Sequence, residues 1–297
     1  MSIKISFITI NYNSSSYTIE LIKSINKYTS LEYEIIVVDN KSKIKDIDKL
    51  EDFISTNNYT RLVKNTTNEG FSSGNMLGVK YAKGEYFFFI NNDTQLLNDT
   101  SLILTNYLDE HLTIALATAK VNDENGNFSS SYKLFPSLTK ELFGNTIARK
   151  LSKHNFPSNK TKLEVPTLVE VVSGSCMFFR ATYFQELGGF DTSFFLYCEE
   201  EDLSKRVWNY GKEVVFVPEA EILHHSGGST VKSFEIEREY YISYHILLKK
   251  HFSLFHRIVL NFLLIFKLFR RSFKRNNSLK LLACALTGCH SRLSLRE

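Results

Sequence analysis

The feature that most constrains the fold is an uninterrupted apolar run, residues 86–90 (YFFFI), which leads directly into Asn91, Asn92, Asp93 and Thr94. A run without a polar position predicts a strand buried on both faces, such as the middle of a parallel sheet. In open α/β sheets ligands bind just beyond the carboxyl ends of the strands, so Asp93 is placed to hold a divalent cation. The alternative is a plain turn after a core strand, because Asn and Asp are common turn residues.

The residues before this run predict two more buried strands. Residues 3–10 form the first and residues 33–40 the second, and the polar cluster at 11–16 is suited to cap a helix between them. Two strands joined by a helix make a right-handed parallel unit. Asp39 ends the second strand and is a candidate acceptor for hydrogen bonds from a base or ribose, with an ordinary loop aspartate as the alternative.

Three glycines recur at four-residue steps at the start of a predicted helix: Gly70, Gly74 and Gly78. Glycine there permits close approach of another backbone or of a ligand, and a helix N-terminus attracts an anion such as a diphosphate. The spacing matches neither the dinucleotide-binding fingerprint nor the P-loop, which counts against a dehydrogenase. Packing of the helix on the sheet explains the glycines equally well.

The middle of the chain predicts a helix at 96–108, a strand at 114–121 and a hairpin turn at 123–127. Residues 122–166 as a whole are polar and irregular, as are loops that shape a second-substrate site. Residues 169–180 form a predicted strand, in which Gly174 indicates a bulge or the close approach of a ligand.

Four consecutive acids, residues 199–202, follow an aromatic run. Acids bordering buried aromatic side chains can have raised pKa values and act as general bases. The alternative is an acidic first turn stabilised by the dipole of a helix predicted at 202–210, and both roles can coexist. Further on, His224 and His225 precede a Gly-Gly-Ser loop, a combination suited to a metal ligand or a phosphate contact.

The charge is divided unevenly along the 297 residues. The net charge is +4, but residues 240–297 carry +10 and residues 1–239 carry −6. An acidic body argues against nucleic-acid binding, whereas a basic tail rich in Phe and Leu is typical of a membrane-surface segment. The four cysteines form no regular framework and no secretory signal precedes Ile3, so a reducing cytoplasm is the expected compartment.

Seven short motifs follow one another in unbroken order between residues 3 and 230. Their joint occurrence is far more specific than any one of them. They are Thr9-Ile10-Asn11-Tyr12-Asn13, Val37-Val38-Asp39-Asn40, Asn68-x-Gly70-Phe71-x-x-Gly74-Asn75, Asn91-Asn92-Asp93, Gly188-Gly189-Phe190-Asp191, Tyr197-x-Glu199-Glu200-x-Asp202-Leu203-x-x-Arg206 and His224-x-x-Gly227-x-Ser229.

This set resembles the family 2 glycosyltransferases, and within them the rhamnosyltransferase-like branch of bacterial surface polysaccharide biosynthesis, such as that of lipopolysaccharide or capsule. The resemblance implies an α/β fold of GT-A type, a Rossmann-like, mostly parallel mixed sheet flanked by helices, over residues 1–235. A helical, basic, amphipathic extension covers 236–297. The implied reaction is an inverting, metal-dependent transfer of a sugar, with rhamnose as one candidate, from a UDP- or dTDP-linked donor to a hydroxyl of a growing, lipid-linked glycan. A catalytically inactive homologue that serves as a membrane-associated assembly partner is the alternative.

The resemblance also implies roles for individual residues. Asn91 departs from the family pattern because it replaces the first Asp of Asp-x-Asp, and Glu200 departs because it replaces the usual Asp base. The longer side chain at 200 leaves Glu199 or Asp202 as other candidates for the base. The implied nucleotide-sugar contacts are Thr9, Asn11, Asp39, Asn68, Gly70, Gly74, Asn75 and Asn92; the contacts to Mg²⁺ or Mn²⁺ are Asp93, Asn91 and His224; the catalytic acids are Glu200 and Glu199.

The tail predicts attachment to a membrane surface. Residues 252–273 mix Phe, Leu and Ile with Arg and Lys, and the longest apolar run, 262–266, is far shorter than the roughly 20 residues that span a bilayer. We therefore predict an interfacial helix that holds the enzyme on the inner face of the cytoplasmic membrane. Packing into a core or against another copy of the chain is the alternative.

Overall fold

A computed structural model describes residues 3–129, 131–152, 154, 156–158, 161–225, 227, 233–273 and 277–296. The strands are β1 (Ile5–Asn11), β2 (Tyr33–Asp39), β3 (Thr60–Lys64), β4 (Tyr86–Ile90), β5 (Thr94–Leu96), β6 (Ile114–Asn122), β7 (Phe128–Ser129), β8 (Tyr132–Lys133), β9 (Thr167–Leu168), β10 (Val171–Val172), β11 (Cys176–Arg180) and β12 (Glu213–His224). The helices are α1 (Ser15–Tyr28), α2 (Ile44–Ile54), α3 (Gly70–Val79), α4 (Thr100–Glu110), α5 (Leu138–Leu151), α6 (Ala181–Glu186), α7 (Glu199–Asn209), α8 (Phe234–His251), α9 (Leu254–Ser272) and α10 (Asn277–Leu286).

The central sheet has the strand order β3-β2-β1-β4-β11-β6-β12-β5. Strands β3, β2, β1 and β4 are parallel, and β12 is parallel to β6. Strand β11 lies antiparallel between β4 and β6, and β5 lies antiparallel to β12. The predicted fold, a mixed sheet with a parallel half flanked by helices and followed by C-terminal helices, is confirmed.

Strand β4 is buried on both faces, as its sequence predicts. Tyr86, Phe88 and Ile90 belong to the core between the sheet and α1 and α4, while Phe87 and Phe89 belong to the core on the other face. Burial of a side chain of this size contributes about 1.5–3 kcal/mol, so this one strand anchors both layers. Its carboxyl end therefore has a fixed position, from which residues 91–93 project.

Several predicted elements differ from the observed ones. Residues 94–96 form β5 on β12, so the helix predicted at 96–108 begins at Thr100, where Asp99 accepts a hydrogen bond from Leu102 N. The strand predicted at 169–180 is two strands, β10 and β11, separated by residues 173–175. Residues 122–166 include helix α5, and the acidic helix begins three residues before its predicted start. The hairpin turn at 123–127 is confirmed, since β7 pairs with β6.

The C-terminal helices pack on the body through α8. Tyr244, Leu247 and Leu248 share an apolar cluster with Phe135 and Phe194. Helix α9 buries Leu260 and Leu268 and leaves a row of large apolar side chains exposed. In the described ranges no helix is long and apolar enough to cross a membrane. The division at residue 235 stays a prediction.

Candidate active site

The parallel strands β1 and β2 end side by side and join two predicted site residues. Asn11 and Asp39 are register partners, and Asn11 Nδ2 donates to Asp39 Oδ1 at 2.8 Å. Thr18 donates to Asn11 Oδ1, and Ser42 N donates to Asp39 Oδ2 at 2.9 Å. Both side chains are buried, so the contacts fix the direction of the Asp39 carboxylate before any ligand arrives.

Two further predicted contacts face the protein interior. Asn92 donates to Ser14 Oγ at 2.7 Å and to Thr18 Oγ1 at 2.9 Å, which fastens the start of α1 to the end of β4. Thr9 is buried in β1, and within the described residues its hydroxyl has no hydrogen-bond partner. In this structure Asn92 thus has a visible structural task, whereas Thr9 has none.

The glycine-rich segment packs closely on its neighbours. Gly70 has a φ of +79°, and a Cβ there would lie 2.1 Å from the carbonyl oxygen of Phe195. A Cβ on Gly74 would lie 2.8 Å from Ile10 Cδ1. Phe71 N also donates to the Phe195 carbonyl at 2.7 Å. The contacts therefore support close packing as a reason for these glycines. They also tie the glycine segment to Phe195, in the stretch that leads into the four acids.

Asparagine amides hold the same segment in place. Asn68 accepts a hydrogen bond from Gly70 N at 3.1 Å, and Asn75 donates to the Phe71 carbonyl at 3.0 Å. Asn40, which sequence reasoning left out of the site, donates to the Gly70 carbonyl at 2.9 Å. Its position next to Asp39 in the second motif is the sequence feature that could have identified it as a site residue. These contacts link the ends of β2 and α3.

Asp93 and His224 come together at the other side of this edge. Antiparallel pairing of β5 with β12 sets Thr94 opposite His224 and brings Asp93 Oδ1 within 3.2 Å of His224 Nε2. His225 N donates to the Asp93 carbonyl at 2.9 Å. In the described ranges no group of three or more His, Cys, Asp or Glu side chains is arranged to hold a metal ion. Ser229 of the last motif lies outside the described residues.

The second histidine faces a different partner. His225 Nδ1 lies 2.7 Å from Glu124 Oε1, on the turn between β6 and β7. Its Nε2 lies 3.3 Å from the amide nitrogen of Gln95. His225 therefore ties this turn to the Asp93 edge, while His224 faces the carboxylate itself.

The four acids lie in the first turn of α7. The two residues before it, Tyr197 and Cys198, have φ values of 74° and 68°, a conformation that costs non-glycine residues about 1–3 kcal/mol. The tight contact of Gly70 with Phe195 and the burial of Cys198 hold this segment. These two residues therefore fix where α7, and with it the row of acids, begins.

Three of the acids are buried, and their environments differ. Burial, followed by the charge of Glu200, raises the pKa of Glu199, whose Oε1 has no hydrogen-bond partner among the described residues. Burial is also the largest cause of the raised pKa of Glu201, with Lys133 opposing it. Burial pushes the pKa of Asp202 up as well, but hydrogen bonds from His251 and Lys250 and the charge of Arg206 outweigh this effect, so its pKa lies below the usual value.

Glu200 is the most exposed acid of the cluster. Its side chain is 14% exposed, and its Oε1 lies 2.8 Å from Lys133 Nζ, which also contacts Glu201 Oε1 at 2.5 Å. A Cβ on Gly174 would lie at an ordinary van der Waals distance, 3.6 Å, from the Glu200 carboxylate, so Gly174 lies beside this acid, and the predicted approach of a ligand there stays a prediction. Lys133 was missed because its sequence neighbours carry no site motif.

One short turn connects the two halves of the site. Residues 173–175 pass Glu200 at Gly174, and the Ser175 carbonyl accepts a hydrogen bond from Asn91 N at 3.1 Å. The turn that is hydrogen-bonded to the backbone leading to Asp93 therefore also passes beside the Glu200 carboxylate.

Comparison with known families identifies the chain. The sequence model for glycosyl transferase family 2 matches residues 6–188, and that for glycosyl transferase family group 2 matches residues 102–294. The chain belongs to glycosyl transferase family 2. This family 2 glycosyltransferase is similar to rhamnosyltransferase WbbL of Escherichia coli K12, with 26% identity over 74% of this chain and 82% of the relative. It is also similar to the N-acetylglucosaminyl-diphospho-decaprenol L-rhamnosyltransferase of Mycobacterium tuberculosis, with 46% identity over 20% of this chain and 19% of the relative.

A solved structure shows the same architecture. The family 2 glycosyltransferase described here matches mannosyltransferase PcManGT of Pyrobaculum calidifontis, solved in complex with GDP-Man and Mn²⁺, with a TM-score of 0.59. The match covers 97% of this chain and 75% of that protein at 14% sequence identity, so it establishes the GT-A fold alone.

Proposed function

We propose that this glycosyltransferase is an inverting, cation-dependent enzyme that moves a sugar from a nucleotide-diphosphate sugar to a hydroxyl of a lipid-linked surface glycan. The observation that carries the proposal is the turn at 173–175, which accepts a hydrogen bond from the Asn91 backbone and lies beside the Glu200 carboxylate. It couples the edge suited to a diphosphate to the most exposed acid of the cluster.

Asp93 and His224 fit a divalent cation that arrives with its substrate. Mg²⁺ and Mn²⁺ are commonly held by one or two carboxylates and by substrate phosphates, so a site with few protein ligands suits them. Asp93 supplies an oxygen and His224 a nitrogen 3.2 Å away, and Asn91 stands two residues before Asp93. When bound, the cation offsets negative charge on the departing diphosphate. The PcManGT complex with GDP-Man and Mn²⁺ supports this choice by analogy.

Asp39 is proposed to receive the nucleoside of the donor. Its carboxylate is already oriented by Asn11 and Ser42, so binding there requires little rearrangement. The glycine segment, with Asn68 and Asn75, lies next to Asp39 along this edge of the sheet. It is proposed to receive the ribose and diphosphate of the donor. Asn92 supports this arrangement by fastening the start of α1 to the end of β4.

Glu200 is proposed to act as the catalytic base. It takes the proton of the acceptor hydroxyl while the hydroxyl oxygen bonds to the anomeric carbon and the bond from that carbon to the nucleotide diphosphate breaks. A single displacement of this kind inverts the anomeric centre. Asp202 is unsuited to this task because His251, Lys250 and Arg206 occupy its oxygens. Glu199 is unsuited because burial raises its pKa and favours the protonated form.

The names of the relatives support a rhamnosyl donor and a diphospho-lipid acceptor, and the exposed apolar row of α9 supports a peripheral position on the inner face of the cytoplasmic membrane. The alternative, an inactive assembly partner, is disfavoured by the Lys133 contacts that hold Glu200 in place next to the turn.

The test is a panel of nucleotide sugars, monitored for released nucleotide diphosphate with Mg²⁺ or Mn²⁺ and with acceptor present. We expect Glu200→Gln to lower the transfer rate by at least about a hundredfold, the usual size of a general-base contribution, without loss of donor binding. Glu186→Gln, at an exposed acid of α6, is the matched control and keeps the wild-type rate. Full turnover by Glu200→Gln would show that another residue is the base. Turnover that is unaffected by a chelator would refute the proposed dependence on a divalent cation.

A further inference from the structure

A cavity of about 240 Å³ lies between the segment after β8, the start of α5 and helices α8 and α9. Its polar wall includes Lys133 and Glu201, which are the immediate neighbours of Glu200. Its far wall is formed by α9, with Leu260, Leu264 and Leu268. The cavity thus begins beside the acid cluster and ends at the helix whose other side is exposed and apolar.

The cations that line this cavity are not all neutralised. Lys133 contacts Glu200 and Glu201, and Arg271 pairs with Glu237. Lys140 is half-buried and donates to the Leu134 carbonyl at 2.9 Å, but among the described residues no carboxylate lies within 4 Å of its ammonium group. Burial lowers the pKa of Lys140 and the charge of Lys133 adds to the effect, while the charges of Glu141, Glu201 and Glu170 offset it only in part, so an anion in direct contact would favour the charged lysine.

The size and lining of the cavity select among anions. A volume of about 240 Å³ has room for a phosphate or diphosphate group. A nucleotide is not the proposed ligand of this cavity, because its nucleoside is assigned to Asp39, at the ends of β1 and β2. The leucines on α9 offer apolar contact to a chain that leaves the cavity toward the exposed face. Tyr240 and Tyr244 add hydroxyl groups to the wall.

From this arrangement we infer that the cavity binds the phosphate groups of a prenyl-diphosphate-linked acceptor, with Lys140 as the principal cation. The inference rests on the proposed function and assigns a binding site to its acceptor. The lipid chain runs along the leucines of α9 toward the membrane, and the glycan extends from the phosphates past Lys133 toward Glu200. The cavity then sets the distance between the lipid and the hydroxyl that reacts.

The test uses the full-length protein and geranyl diphosphate in titration calorimetry, with a chelator present and no donor. We expect wild type to bind geranyl diphosphate more tightly than inorganic pyrophosphate or geraniol. Lys140→Met weakens binding by about tenfold or more, because it removes a charge-assisted hydrogen bond, and Lys140→Arg restores most of it. Lys212→Met, at a half-buried lysine far along the chain from the cavity lining, is the matched control and leaves the affinity unchanged.

The outcomes separate this inference from the proposed transfer reaction, because the readout needs neither donor nor turnover. Absence of binding, or equal binding by wild type and Lys140→Met, overturns the inference. Equal affinity for pyrophosphate and geranyl diphosphate means a site for free diphosphate and overturns the lipid assignment. If Asp93→Asn abolishes binding while Lys140→Met does not, the probe occupies the donor edge and the cavity assignment is wrong.

Discussion

Replacing Lys133 by Met tests whether the acid cluster depends on one lysine. Its ammonium group lies 2.8 Å from Glu200 and 2.5 Å from Glu201, and it counters the burial that raises the pKa values of Glu199 and Glu201. Methionine keeps most of the side-chain volume and removes the charge. The variant then has to bury ionised acids without their cation or to protonate them.

The size of the effect follows from the exposure of the pair. Breaking a fully buried ion pair costs about 3–5 kcal/mol, whereas exposed pairs contribute about 0–1 kcal/mol. The side chain of Lys133 is 37% exposed and that of Glu201 is 8% exposed, so we expect an intermediate loss of about 2 kcal/mol near pH 8. For 297 residues, the average unfolding entropy turns this loss into a drop of about 3 °C in Tm.

The pH dependence has a definite sign. An acid whose pKa is raised by folding favours the folded state at low pH and opposes it once it ionises, so the cost of losing Lys133 is largest at high pH. The pKa of Lys133 itself lies well above 10.5, so in wild type the lysine stays charged throughout. The gap in Tm between wild type and Lys133→Met therefore shrinks as the pH falls from 8 toward 5.

The assay is thermal unfolding followed by circular dichroism at pH 5, 6, 7 and 8. Lys133→Arg keeps the charge and serves as the rescue variant, and Lys23→Met removes the exposed pair of Lys23 with Glu20 as the control for a surface lysine. A Tm for Lys133→Met equal to that of wild type at pH 8, or a gap that does not change with pH, would refute the reasoning.

Two other predictions concern packing and the membrane. Gly70→Ala is expected to lower the free energy of unfolding by at least about 3 kcal/mol, because a Cβ would lie 2.1 Å from the Phe195 carbonyl oxygen. Gly126→Ala, with a similar φ of +75° but open space around it, is expected to lower it by about 1 kcal/mol. Equal denaturation midpoints for the two variants would contradict the packing explanation. Phe262→Ser combined with Phe266→Ser, at side chains 66% and 53% exposed, should reduce flotation with anionic vesicles about a hundredfold if each phenylalanine contributes about 1.5 kcal/mol. Leu112→Ser, equally exposed but outside the tail, should float like wild type, and unchanged flotation of the double variant would disprove interfacial anchoring by α9.

The elements that sequence predicts well are those with a strong local pattern. Strands β2 and β4 are continuous apolar runs that end in polar residues, so both the strands and the position of Asp39 and Asp93 at their ends follow from the sequence. The hairpin between β6 and β7 follows in the same way from its turn residues. In these places the local preference and the tertiary structure agree.

The elements that sequence misses depend on contacts between distant residues. Strand β5 has only three residues and exists because it pairs with β12, more than 120 positions later. Helix α5 buries none of its residues and is interrupted at Gly144, where φ is 78°, so neither a buried face nor an unbroken helical stretch marks it. Lys133 joins the acid cluster across 67 positions. No local motif can mark such a residue, because its role is set by the pairing of β8 with β10.

The Asp202 contacts have a consequence for how the C-terminal helices can be studied. Lys250 and His251, at the end of α8, both touch a carboxylate that is almost completely inaccessible to solvent. A chain shortened before α8 would leave that carboxylate with Arg206 but without these two residues, directly under the turn that carries Glu200. Shortening the protein to make it easier to handle would thus disturb the acid proposed as the catalytic base, and the proposed membrane attachment is better tested by single changes on the outer side of α9.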